Sequence, residues 1–146
     1  MRFHNGVYQP RNAGKYRGKR LPVYRSSWEL SAMRMFDAHP NVLAWASECH
    51  RIPYINPVTG RRTHYVPDFF VVYMDQNGRQ HAEMVEIKPS SQILGRTAND
   101  YDRAQAVINE EKWKSAQAFC KNHNLRFRIL TEQEMFRNTR LNKRKR

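Results

Sequence analysis

The first stretch with helical periodicity opens at Ser26, where Ser26 and Glu29 make a Ser-x-x-Glu capping box. Trp28, Ala32, Met35 and Phe36 recur on one inward face, and Pro40 ends the run. Short apolar runs follow at residues 42–46 and 52–55, then a turn-forming stretch, Asn56, Pro57, Val58, Thr59 and Gly60. Longer runs at residues 65–73 and 80–88, with Asp75, Gln76, Asn77 and Gly78 between them, predict two strands of a β-hairpin. Beyond Pro89 a polar stretch containing Gly95 leads to a helix expected over residues 100–123, with a second N-cap at Asn109 and with Trp113, Ala116 and Cys120 on one face. Residues 126–130 read as a last strand, and Thr131 with Glu134 as a further capping box. No internal repeat is visible.

Helix, three or four strands, helix, strand, helix is the order of an α/β or α+β sandwich, a mixed central sheet flanked by helices. The hairpin register can be worked out in advance. A two-residue loop at Asn77-Gly78 pairs Asp68 with Ile87 and sends the Asp68 side chain to the wrong face. A three-residue loop of Gln76 and Asn77 in a type I turn, with Gly78 left-handed, sets Asp75 against Arg79 and Asp68 opposite Glu86. The bulged loop is therefore expected.

At 146 residues the chain fits one domain with a core of its own. Its 40% hydrophobic and 12% aromatic residues exclude global disorder. Lysine and arginine number 26 against 13 acidic residues, a net charge of +13 and a pI near 10.3, which favours a polyanionic partner. Nucleic acid is the commonest such partner, because each neutralised phosphate releases condensed counterions. The charge concentrates at the ends. Residues 1–20 read as an extended basic arm, 21–136 as the domain and 137–146 as a basic tail. Cys49 and Cys120 have neither zinc-ligand nor disulfide-framework spacing, and no apolar segment suits a secretion signal or a membrane span, so a reducing cytosol is expected.

The chemistry concentrates in Val66-Pro67-Asp68-Phe69-Phe70 and, at the other end of the hairpin, Glu86-Ile87-Lys88. A buried carboxylate is costly unless paired or bound to metal, so acids set among strand-forming apolar residues need a reason. Glu86 and Lys88 share a face by the period of two. Phosphodiester hydrolysis uses such a set. A hard cation on carboxylate oxygens neutralises phosphate charge and acidifies a water, and a lysine can orient that water or the phosphate. Asp68 and Glu86 are the candidate ligands, the Ile87 carbonyl a third, and Lys88 the cation that acts beside them.

The spacing Pro67-Asp68 then Glu86-x-Lys88 resembles the signature of the PD-(D/E)xK nucleases. A wider pattern extends the likeness: Tyr24-Arg25-Ser26-Ser27-Trp28-Glu29, Trp45-Ala46-Ser47-Glu48, Ile52-Pro53-Tyr54, Lys112-Trp113-Lys114, Ala116-Gln117 and Phe127-Arg128-Ile129-Leu130-Thr131-Glu132. This pattern is similar to the head-completion nucleases of T4-like tailed phages and, more distantly, to the TnsA transposon endonucleases. The resemblance implies a restriction-endonuclease-like core, a Mg²⁺ or Mn²⁺ cofactor, and Glu29 joining Asp68, Glu86 and Lys88 at the centre. It also implies action on packaged DNA before tail joining, with capsid, portal or neck proteins as partners, in the host cytoplasm or at the virion head and neck. A homodimer and a ring imposed by the assembly are both compatible with it.

Each candidate has a plainer role beside the chemical one. Glu29 is also the third residue of a capping box, Asp68 can mark a strand start, and Glu86 with Lys88 can be a surface ion pair. Glu48 can orient a ligand or face solvent, and Gln117 can be a polar helper or a satisfied residue at the core rim. Arg17, Lys19, Arg20, Arg61 and Arg62, with Arg140, Lys143, Arg144, Lys145 and Arg146, are the candidate DNA contacts. His50, His64 and His81 read as surface or DNA-facing, and Trp28, Trp45 and Trp113 as core. Two other function classes fit the same charge: a virion neck or portal accessory with a nuclease-like fold, and a plain DNA-binding module.

Overall fold

The computed structural model describes residues 5–89 and 100–131. Helix α1 spans Ser27–Ala38, with Ser26 as N-cap and His39, ahead of Pro40, as C-cap. The Ser26 hydroxyl accepts the Glu29 N–H at 3.1 Å, and the Glu29 carboxylate returns to the Arg25 N–H at 2.9 Å, so the capping box closes one residue earlier than the usual reciprocal pair. Ala32, Met33 and Phe36 are buried, with Trp28 and Met35 packed at the edge of the same cluster.

The central sheet has the order β3(Val42–Ser47), β6(Phe69–Met74), β7(Gln80–Ile87), β8(Arg126–Leu130). The first three are antiparallel and β8 runs parallel to β7. A parallel neighbour requires a crossover, and α2(Asp100–Asn122) supplies the helix of it. Side-chain alternation divides the core between the two faces. Phe69, Val71, Val85 and Ile87 pack with α1 and the fully buried Trp45, while Phe70 and Met84 join Trp113, Ala116 and Cys120 of α2.

The β6–β7 loop takes the bulged form. The Asp75 N–H donates to the Arg79 carbonyl at 2.8 Å, the Gly78 N–H to the Asp75 carbonyl at 3.1 Å, and Gly78 has a φ of 77°. Met74 pairs with Gln80 and Phe69 with Val85, a register that continues to Asp68 and Glu86.

Three expectations need correction. The apolar run at 65–73 is not one strand: β5(Arg62–Tyr65) ends before Val66 and Pro67, and β6 starts at Phe69. Proline has no N–H for a ladder, so the chain leaves one sheet and enters another there. β5 pairs with β4(Ile52–Ile55) in a separate hairpin. Helix α2 is continuous through Asn109, which is fully buried and bonded to Gln105 rather than starting a new helix.

The third concerns the basic arm, whose described part does not extend away from the domain. β1(Gly6–Val7) pairs with β2(Val23–Tyr24), and residues between them fold onto α1 and β3. The buried Asp37 carboxylate accepts the Tyr8 hydroxyl at 2.6 Å and the N–H groups of Arg11 and Asn12 at 2.7 and 3.0 Å. Trp45 exchanges backbone hydrogen bonds with Lys15 and Arg17, which covers the open edge of β3 at that residue. Met1 to His4, residues 90–99, the Glu134 capping box and the tail lie outside the described residues.

Candidate active site

The break at Pro67 places Asp68 where β6 begins, beside the last residues of β7. The Ile87 N–H donates to the Asp68 carboxylate at 2.7 Å, the Asp68 N–H to the Glu86 carboxylate at 3.3 Å, and the Glu48 N–H to the Asp68 carbonyl at 3.0 Å. The shared register puts Asp68 and Glu86 on the face covered by α2. Lys88 Nζ lies 4.0 Å from the other Glu86 oxygen, and its backbone N–H is held by the Leu130 carbonyl at 3.1 Å. Asp68, Glu86, Ile87 and Lys88 thus meet at one end of the sheet.

The electrostatics of this cluster are those of a site short of positive charge. Burial, then the adjacent Glu86 charge, raises the Asp68 carboxyl well above the ordinary carboxylate range, against the pull of the Ile87 N–H and Lys88. Glu86 is also raised, chiefly by burial, while Lys88 and its other neighbours oppose the shift. Two acids in one poorly hydrated place repel each other when both are ionised.

Glu29 approaches from the first turn of α1. Burial and then the charge of Asp68 raise its carboxyl. Its carboxylate also accepts from the Arg25 N–H and the Ser26 hydroxyl, so the capping role is present and a ligand triad is not: among the described residues no three His, Cys, Asp or Glu side chains converge into a metal cage. Glu48 sits in the left-handed region at φ 49° and forms a two-contact ion pair with Arg25, the closer at 2.5 Å. Gln117 is exposed, off the buried stripe of Trp113, Ala116 and Cys120. Arg17, Lys19, Arg20, Arg61 and Arg62 are exposed, while Arg140, Lys143, Arg144, Lys145 and Arg146 lie outside the described residues. His64 is exposed, His81 pairs with Asp75 at 2.7 Å, and His50 contacts Cys49.

Three residues enter the neighbourhood that sequence reasoning did not single out. Arg25 faces Glu48, and the charges of Glu29 and Asp68 act on it as well. Tyr65 is buried with its hydroxyl beside the Glu86 carboxylate, whose charge, after burial, drives its acidity down; it makes no hydrogen bond of good geometry. Lys112 is half-buried, and burial followed by repulsion from Lys88 lowers its pKa. A signal for Lys112 existed: it lies four residues before Ala116, on the inward stripe, where a lysine is out of place.

Residues 39–132, which include Asp68, Glu86 and Lys88, match the TnsA-like endonuclease N-terminal family. The chain belongs to this family of endonucleases. It is also 30% identical over 141 residues to the head completion nuclease of Enterobacteria phage T4, an alignment that covers 88% of this chain and 91% of that protein. The TnsA-like match begins after α1 and so leaves Glu29 out, whereas the sheet end that holds the acid pair falls wholly within it.

Proposed function

We propose that this TnsA-like nuclease is a Mg²⁺-dependent endodeoxyribonuclease with Asp68 and Glu86 as metal ligands and Lys88 as the cation beside them. The observation that carries this reading is the convergence of two adjacent acids, with raised pKa values, at a strand end next to a lysine. A divalent cation would relieve their mutual repulsion. Mg²⁺ commonly takes only one or two protein carboxylates and fills its remaining positions with water and phosphate oxygens, so a pair of acids suffices for it. Mn²⁺ suits the same oxygens.

When bound, the cation supplies charge neutralisation and a more acidic water. The chain's own residues do the rest. The Ile87 N–H fixes one Asp68 oxygen, which holds the carboxylate in a single orientation. Glu86 anchors Lys88 by charge, leaving its ammonium to orient the attacking water or a phosphate oxygen. The Ile87 carbonyl is the further oxygen we assign to the centre, and Glu29 enters through charge on Asp68. Exposed Arg17, Lys19, Arg20, Arg61 and Arg62, together with the tail residues Arg140, Lys143, Arg144, Lys145 and Arg146, are assigned to DNA phosphates.

We assign packaged phage DNA as the substrate and capsid, portal or neck proteins as the partners, a reading supported by the likeness to the phage T4 head completion nuclease. The place of action is then the infected host cytoplasm and the assembling virion. No helix among the described residues is long and apolar enough to cross a membrane. Purified protein incubated with supercoiled and linear DNA should cut in Mg²⁺ and not in chelator. DNA binding without cutting in either condition would move the chain to the non-catalytic accessory reading.

A further inference from the structure

Lys112 and Tyr65 are left over from this assignment, and Lys112 carries a charge that no ion pair among the described residues uses. Lys112 Nζ lies 5.9 Å from the centre of the Tyr54 ring and 5.7 Å from that of Tyr65. Among the described residues no carboxylate comes within ion-pairing distance of it, although the charges of Lys88, Glu86 and Asp68 all act on it. Tyr65 is 4% exposed, and its hydroxyl, with no exposed surface, lies against the Glu86 carboxylate. It faces the same acids, whose charges act on it in turn.

A half-buried ammonium with aromatic faces in place of a counter-ion is unusual. It is a donor beside the one place in the domain where a substrate phosphate would be brought, and the acids present already have Lys88 and the Ile87 N–H. A phosphodiester brings non-bridging oxygens that accept hydrogen bonds and carry the charge Lys112 lacks.

We propose that Lys112, seated on the Tyr54 and Tyr65 rings, takes a non-bridging oxygen of the DNA backbone alongside the Asp68–Glu86 pair. The inference rests on the nuclease reading above. The tyrosine rings hold the ammonium in place before DNA arrives, so little ordering remains when it binds. Helix α2 then contributes to substrate contact as well as to the core.

The test uses the full chain with two substitutions. Lys112→Met keeps an unbranched stem on the two rings and removes the charge, and Tyr65→Phe removes only the hydroxyl. Three readouts separate phosphate contact from a merely structural role: Mg²⁺ affinity by calorimetric titration of the metal alone, plasmid cleavage in Mg²⁺, and the salt dependence of binding to a labelled duplex oligonucleotide in chelator. Lys112→Met should cut roughly 100-fold more slowly, in the range for loss of one donor to a transition-state oxygen. Its plot of log affinity against log salt should flatten by about 0.9, one phosphate's share on duplex DNA. Its Mg²⁺ affinity should be equal or higher, since a repelling charge has gone.

Tyr65→Phe, which keeps the ring under the ammonium, should leave the salt slope at the parent value. Lys112→Arg should recover part of the loss. Parent-like cleavage and salt slope in Lys112→Met would overturn the seat, as would slower cleavage with an unaltered slope, which would mean the lysine acts only on the acids. If Lys112→Met does not fold, Lys112→Gln takes its place, and a parent-like salt slope in that variant overturns the seat instead. If the parent protein itself fails to cut, the nuclease reading falls, and the salt slope still decides whether Lys112 meets phosphate.

Discussion

Asp68 and Glu86 lock each other in place through the backbone: the Asp68 N–H reaches a Glu86 oxygen at 3.3 Å, and the N–H after Glu86, that of Ile87, reaches an Asp68 oxygen at 2.7 Å. The two acids are therefore held together by peptide groups. Their charges oppose that arrangement.

One consequence is a pH dependence in metal-free protein. The folded-state pKa of Asp68 is raised, by burial and then by Glu86, so protonated Asp68 favours the fold. That stability is complete below the unfolded value, about 3.9, and is lost as pH rises through the higher folded value. Chelated protein should lose Tm over that rise, and Mg²⁺ should restore it by binding the folded state. Thermal melts across pH, with and without Mg²⁺, read this directly; a Tm indifferent to Mg²⁺ at neutral pH would count against the acid pair as its site.

Asp37 has the opposite sign. Burial works against its ionisation, but hydrogen bonds from Tyr8, Arg11 and Asn12 outweigh it and lower the pKa. Its contribution is present above the unfolded value and lost as pH falls through the folded one. Asp37→Ala should destabilise by about 2–4 kcal/mol, since several hydrogen bonds to a charged group go with it. Urea unfolding measures the loss, and protease sensitivity of residues 5–24 should rise with it.

Lys88→Ala should abolish cleavage with Mg²⁺ affinity largely kept, because lysine contributes no ligand oxygen. Calorimetric metal titration and plasmid cleavage on the same preparation separate the two. A variant that loses Mg²⁺ binding as completely as cleavage would show that Lys88 builds the metal site rather than acting beside it.

Removal of residues 137–146 should lower duplex affinity and flatten its salt dependence by about 0.9 for each phosphate the tail neutralises. Anisotropy of a labelled duplex over a salt series gives the slope. An unaltered slope would assign the tail to a protein partner.

Much of the site is legible in the sequence because it depends on local rules. Gly78 can take a positive φ, so the bulged loop and the meeting of Asp68 with Glu86 follow from register alone. The break at Pro67 is harder to see, since the run from Tyr65 to Tyr73 is apolar on both sides of it and its two halves pair with different partners. Charge hides the packing of the N-terminal segment. Its arginines and lysines suggest an arm, whereas Tyr8 and Tyr16, packed against Trp45 in tilted and edge-to-face contacts, and Asp37 across the fold tie it down. Gln117 falls just off the buried stripe, beside Ala116. Lys112 is legible by its spacing from Ala116, but the Tyr65 ring and the acids it meets across the fold are not, because long-range contacts leave no periodic trace in the sequence.

The most direct test of the central claim is plasmid cleavage by Asp68→Asn in Mg²⁺, read alongside its DNA affinity in chelator. The change is nearly isosteric and leaves an oxygen to accept from the Ile87 N–H, while removing a charge and a strong metal ligand. Cleavage should fall by orders of magnitude, and metal-free affinity should stay level or rise because one charge that repels phosphate has gone. Cleavage at the parent rate, with affinity unchanged, would contradict the account and place the chemistry away from Asp68.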